Sequence, residues 1–158
     1  MHRFLLSALL LSSAVQTACV QLAEIDVTAS PRYRSMLGRE FTLKEDLKVK
    51  GVKRDLRSKQ PDYAMLVGTP GIGGPEFFEL GIKPAGSRFT IVGVIYRKSR
   101  LFPATAYLVR FADGITVAPG ITDIRISDEN GFKFHDKPPS PEEAPSLSAR
   151  YFEAVATQ

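Results

Sequence analysis

The stretch Pro84-Ala-Gly-Ser-Arg-Phe-Thr-Ile-Val-Gly-Val-Ile-Tyr96, answered after a basic connection by Tyr107-Leu-Val-Arg-Phe111 and Asp113-Gly114, decides the fold of this chain. Its run from Arg88 to Tyr96 is apolar and β-branched, with the length of a buried strand, and Tyr107 to Phe111 supplies a partner of alternating character. The pair predicts a hairpin at the heart of a small β-fold. Gly93 in mid-strand suits the sharp coiling that a small barrel requires.

Working outward, Glu40-Phe-Thr-Leu43 and Leu47-Lys-Val-Lys50 each alternate at period two, with Phe41, Leu43, Leu47 and Val49 on one side and Lys48 and Lys50 on the other. Asp62 to Val67 reads as another strand, and Phe77 to Leu80 as a short strand or a single helical turn. Glu24 to Val27 could add a short edge strand to an otherwise irregular segment. Downstream, Asp113-Gly114, Pro119-Gly120 and Asn130-Gly131 punctuate short strands at Ile115 to Ala118, Ile121 to Ser127 and Phe132 to His135. Ile124 and Ile126 alternate with Arg125, so one face is expected to pack and the other, with Arg125, to meet water. Asp136 to Pro145 is Pro-rich, and beyond it Leu147, Tyr151 and Val155 fall on one helical stripe with Phe152 beside them, which predicts a terminal helix.

Two resemblances follow from these residues. The pattern Pro84 to Ser87, Phe89 to Val94, a variable loop, Tyr107 to Val109 and Asp113-Gly114 is similar to the middle of bacterial SH3-like barrels; it covers about thirty residues and implies an architecture without binding residues. The N-terminus has a positive start, Met1-His-Arg3, an apolar run, Phe4 to Leu11, and small or polar residues from Ser12 to Ala18, the arrangement of a secretory signal. The only cysteine, Cys19, follows directly. Here the chain resembles a bacterial lipoprotein, although Gln16 stands where that family usually has an apolar residue. The resemblance implies acylation of Cys19, tethering at a membrane surface, and, with Val20 in place of the family's inner-membrane retention residue Asp, a preference for the outer membrane. Ordinary cleavage near Cys19 or Ala23, giving a soluble periplasmic or secreted protein, is the alternative.

Composition narrows function more than it names it. A formal net charge of +4 over 158 residues, with no Trp, gives no footprint for nucleic acid. The most basic segment carries Lys48, Lys50, Lys53, Arg54, Arg57 and Lys59, which reads either as a docking patch for anionic partners or as a solvated loop. The eight-residue hairpin connection Arg97 to Ala104 is longer than a hairpin needs. Arg97, Lys98, Arg100, Leu101 and Phe102 are therefore the candidate partner-binding residues, Leu101 and Phe102 alternatively folding back as a cap. The glycines between Gly68 and Gly74 have neither a helix-opening phosphate-loop spacing nor the amides that Pro70 and Pro75 remove, so they read as a turn. His135, beside Asp136 on the last strand, lacks a properly facing orienter, and no second His or Cys completes a metal set.

The expectation is thus a mainly β, small antiparallel, SH3-like, partly closed barrel with a short C-terminal helix. Residues 1–18 form the signal peptide, 19–38 a tether, 39–136 the barrel, and 137–158 a Pro-rich linker and terminal helix. Its expected role is a non-enzymatic, cofactor-free and metal-free binding or scaffold protein of the bacterial cell envelope. The membrane through an N-terminal lipid, and an envelope protein or cell-wall component, are the expected partners. The alternative is a periplasmic inhibitor or immunity protein that blocks an enzyme with a protruding loop.

Overall fold

A computed structural model describes residues 23–68, 73–98, 104–113, 120–127 and 145–156. Among the described residues there are nine strands: β1 (Glu24–Asp26), β2 (Glu40–Leu43), β3 (Leu47–Val52), β4 (Tyr63–Val67), β5 (Phe77–Lys83), β6 (Arg88–Arg97), β7 (Ala104–Phe111), β8 (Ile124–Ser127) and β9 (Phe152–Ala154). A single 3-10 turn occupies Pro31–Tyr33. All the strands share one sheet in the order β5-β3-β4-β8-β7-β6-β2-β9, with β1 paired to the far end of β6.

The expected hairpin is the longest pairing, β6 against β7 from Phe89 opposite Phe111 to Arg97 opposite Ala104. Its register slips between Ile91 and Gly93, so Val92 is an extra residue that bends β6. A Cβ at Gly93 would stand 3.0 Å from Leu108 Cδ1 and 3.2 Å from Thr28 Oγ1. Glycine therefore leaves room for the close approach of Thr28, whose hydroxyl accepts the Val94 amide at 2.9 Å. Bending lets one strand pair with β2 through Arg88–Thr90 and with β1 through Ile95–Arg97. The turn into β6 is of type II: Ser87 N donates to Pro84 O and Gly86 takes φ +83°, which the third turn position demands.

The principal core lies on the face of β6 that carries Phe89, Ile91 and Val94. Phe89 is fully buried, stacked on Phe41, tilted against Phe111 and edge-to-face with Phe152, each at 5.7 Å between ring centres. Alternation places Phe41, Leu43, Leu47, Val49, Tyr107, Val109, Ile124 and Ile126 in the same cluster. β2 and β3 stand near opposite ends of the pairing order, yet only Lys44 to Asp46 separate them. The sheet must curl to bring them together. Among the described residues no ladder joins its two edges, so it is one mixed sheet and is not closed into a barrel.

Four expectations are corrected. The sheet is not all antiparallel, because β8 runs parallel to β4, with Ala64, Met65 and Leu66 opposite Ile124, Arg125 and Ile126. The terminal helix is absent: Tyr151 and Phe152 amides both donate to Ser148 O, and after that one turn β9 pairs with β2. A helix this short, just after Pro145, has little intrinsic stability, whereas the edge of β2 offers backbone partners and Phe89 offers a ring to pack on. The tether is shorter than expected, since from residue 23 onward the chain belongs to the folded body, with Met36 fully buried and Val27, Tyr33 and Leu37 packed on the core. Arg125 does not meet water; it is buried. The proposed strands at Ile115 to Ala118 and Phe132 to His135 lie outside the described residues.

Candidate functional site

Every residue of β4 is buried, which means both of its faces are covered. Ala64 and Leu66 point into the principal core, and Tyr63, Met65 and Val67 form a second cluster with Val52 and Phe77. The pleat lays Lys50 of β3 and Arg125 of β8 on either side of Met65, on that second face. Burying cations is costly unless each is paired and hydrogen-bonded. Their partners define the site.

Arg125 makes a two-pronged contact with Asp123, Nε to Oδ1 at 2.9 Å and Nη2 to Oδ2 at 2.7 Å. Asp123 stands just before β8, where its carbonyl accepts the Ala64 amide at 2.9 Å, and in extended chain residues two apart share a face. Its Nη1 donates to Glu24 Oε1 at 2.9 Å, and the guanidinium lies 3.9 Å from the ring centre of Tyr63. The second oxygen of Glu24 accepts from Arg54, whose own guanidinium is 5.5 Å from the same ring. Thus Glu24 of β1 is held between two arginines from distant parts of the chain. Burial pushes the Glu24 carboxyl up, but the hydrogen bond and charge of Arg125, with those of Arg54, outweigh it and hold the group below its ordinary range. Burial would likewise lower the Arg125 value, and Asp123 and Glu24 reverse that and raise it. Glu24 and Arg125 therefore stay ionised at neutral pH. The arrangement fastens β1 to the sheet.

The other buried cations are treated similarly. Lys50 Nζ is 3.2 Å from Glu79 Oε1 and 5.7 Å from the Phe77 ring centre. Lys83 Nζ is 2.8 Å from Asp113 Oδ2 and 4.4 Å from the ring centre of Phe111. Each ammonium satisfies its charge at the margin of the sheet while its stem covers apolar surface.

The basic segment is therefore divided. Lys50 and Arg54 are engaged as described, and Lys53 donates to Leu56 O and Ser58 O with its ammonium 4.6 Å from the Phe78 ring centre. Lys48 is half-buried in register between Val67 and Ile82. Only Arg57 and Lys59 of the six project into solvent outside any ion pair among the described residues. In the long connection, Arg97 pairs with Glu24 and Ala104 across the sheet, and exposed Lys98 donates its amide to Ala23 O at 3.1 Å. Arg100, Leu101 and Phe102 lie outside the described residues, as do Cys19, the leader and His135. The residues that sequence reasoning missed are Glu24, Asp123, Arg125 and Lys83. The Asp123-x-Arg125 spacing at the start of β8 was the available signal.

Among the described residues no group of three or more His, Cys, Asp and Glu is placed to hold a metal ion. None of their helices is long and apolar enough to cross a membrane. Comparisons with protein-family models, with curated proteins and with solved structures found no match.

Proposed function

We propose that the protein is an exported, lipid-anchored, non-catalytic binding or scaffold module of the bacterial cell envelope. The observation that carries this reading is the N-terminal order of charge, Leu-rich run and small residues ending at Cys19. Acylation gives a role to a thiol that has no partner within its own chain in an oxidising compartment. The proximity of the first strand supports it, since Glu24 opens β1 only five residues after Cys19. The SH3-like likeness enters the proposal only locally, for the β6–β7 hairpin and its flanking turns, and brings no ligand with it.

The decisive measurement is intact-mass analysis of the mature chain with membrane fractionation of the wild type and Cys19→Ala. An acylated N-terminal Cys19, with Cys19→Ala moving to the soluble fraction, is the expected result. A mature N-terminus at Val20 or Glu24 without lipid overturns the anchor.

A further inference from the structure

The connection between β3 and β4, Lys53 to Asp62, carries the most exposed large apolar residue of any described loop, Leu56, at 59%. It is braced throughout. The carboxylate of Asp55 accepts the Arg57 amide at 2.9 Å and its carbonyl accepts the Ser58 amide, while Asp62 accepts the Arg54 amide at 2.7 Å. Ser58 Oγ donates to Gln60 O, and Lys53 Nζ donates back to the carbonyls of Leu56 and Ser58. So many internal bonds hold Leu56 out in water with its neighbours Arg57 and Lys59, where a floppy loop would let it collapse. Four cations face two acids here, and both acids are turned onto the loop's own amides.

The position of this loop identifies its occupant. Arg54 is bonded to Glu24, which ties the loop to the first strand at the point where the N-terminal segment enters the fold. Five residue steps from Cys19 to Glu24 can span at most about 18 Å even fully extended. An acyl chain on Cys19 would therefore bring a bilayer to this end of the molecule, within reach of the braced loop. An exposed leucine followed by an arginine and, three positions on, a lysine is suited to such a boundary, the apolar side chain entering among headgroups and the cations meeting phosphates.

We propose that the Lys53–Asp62 loop is a membrane-docking element, with Leu56 entering the interface and Arg57 and Lys59 contacting anionic phospholipid headgroups. This rests on the lipid-anchor reading, and the test separates the two. Full-length protein carrying Leu56→Cys is expressed, processed, labelled with an environment-sensitive fluorophore and reconstituted in phosphatidylcholine vesicles with or without phosphatidylglycerol. Intact mass reports the acyl group on the same sample. Ile82→Cys serves as the control, because Ile82 is 63% exposed and lies at the other end of β3, opposite Lys48.

The expected result is blue-shifted emission and loss of iodide quenching at position 56, only with phosphatidylglycerol, and no change at position 82. Arg57→Gln with Lys59→Gln should remove the shift while leaving the melting temperature unchanged, since both residues are exposed. A label at position 56 that stays in water on an acylated protein overturns the docking element and leaves the anchor standing. A shift of both labels overturns it as well, because the whole body would then adsorb without a dedicated loop. An unacylated N-terminus overturns both readings.

Discussion

Ala64 and Leu66 on one face of β4 sit in a cluster of Leu, Ile, Val, Tyr and Phe side chains, whereas on the other face Tyr63 lies under Arg125 and Met65 stands in register between Lys50 and Arg125. The two faces are equally buried but held by different forces. On the first, stabilisation comes from apolar area and close packing, which has no preferred direction. On the second, it depends on charges whose burial is tolerated only in one geometry, so the losses after a mutation come from unpaired partners. The first face gives cohesion. The second specifies where β1 goes.

Four substitutions press on this contrast. The largest effect is expected from Phe89→Ala, which removes the ring touching Phe41, Phe111 and Phe152 and should cost about 3–5 kcal/mol. Urea denaturation measures it, and the loss should be nearly independent of pH. A pH-sensitive loss would mean that the two faces are not separate.

Arg125→Ala comes next, at roughly 3 kcal/mol, because Glu24 and Asp123 would remain in place without their shared cation. Its signature is acid sensitivity. The folded Glu24 carboxyl lies below its unfolded value near 4.3, so its stabilisation is complete above that pH and disappears as pH falls through the folded value. Unfolding curves recorded from pH 6 down to 3 should therefore drop more steeply for the wild type than for Arg125→Ala or Glu24→Gln. Equal slopes would show that Glu24 is not held by the arginines. The smallest effect is expected at Gly86→Ala, which puts a Cβ into the positive-φ turn position that opens β6 and should cost about 1 kcal/mol, read as a shift in melting temperature.

The same contrast explains what could be read from sequence. Period-two alternation in Glu40 to Leu43 and Leu47 to Lys50, and the β-branched run after Arg88, announced β2, β3 and β6 because burial on one face leaves that trace. Alternation says nothing about which strand lies alongside, so the parallel neighbour of β4 was invisible. Arg125 looked like a solvent-facing residue between two isoleucines, since a buried, paired arginine and an exposed one have the same local sequence. The stripe Leu147, Tyr151 and Val155 fitted a helix, but a free edge at β2 competed for the same backbone and prevailed. The basic segment was legible as charge and not as structure. Its division into braced, ring-capped and solvent-facing members depends on Glu24, Tyr63, Phe78 and Glu79, which come from three different strands.

The side-by-side alignment of β4 with β8 also bears on how the chain acquires its shape. Ala64 to Leu66 must wait for residues some sixty positions later before that flank finds its hydrogen-bonding mate, and loop closure over such a distance is slow. While the polypeptide is being made, the β3–β4 ribbon stands with a sticky, bare margin. Association between nascent copies at that margin is the chief hazard of assembly for this architecture.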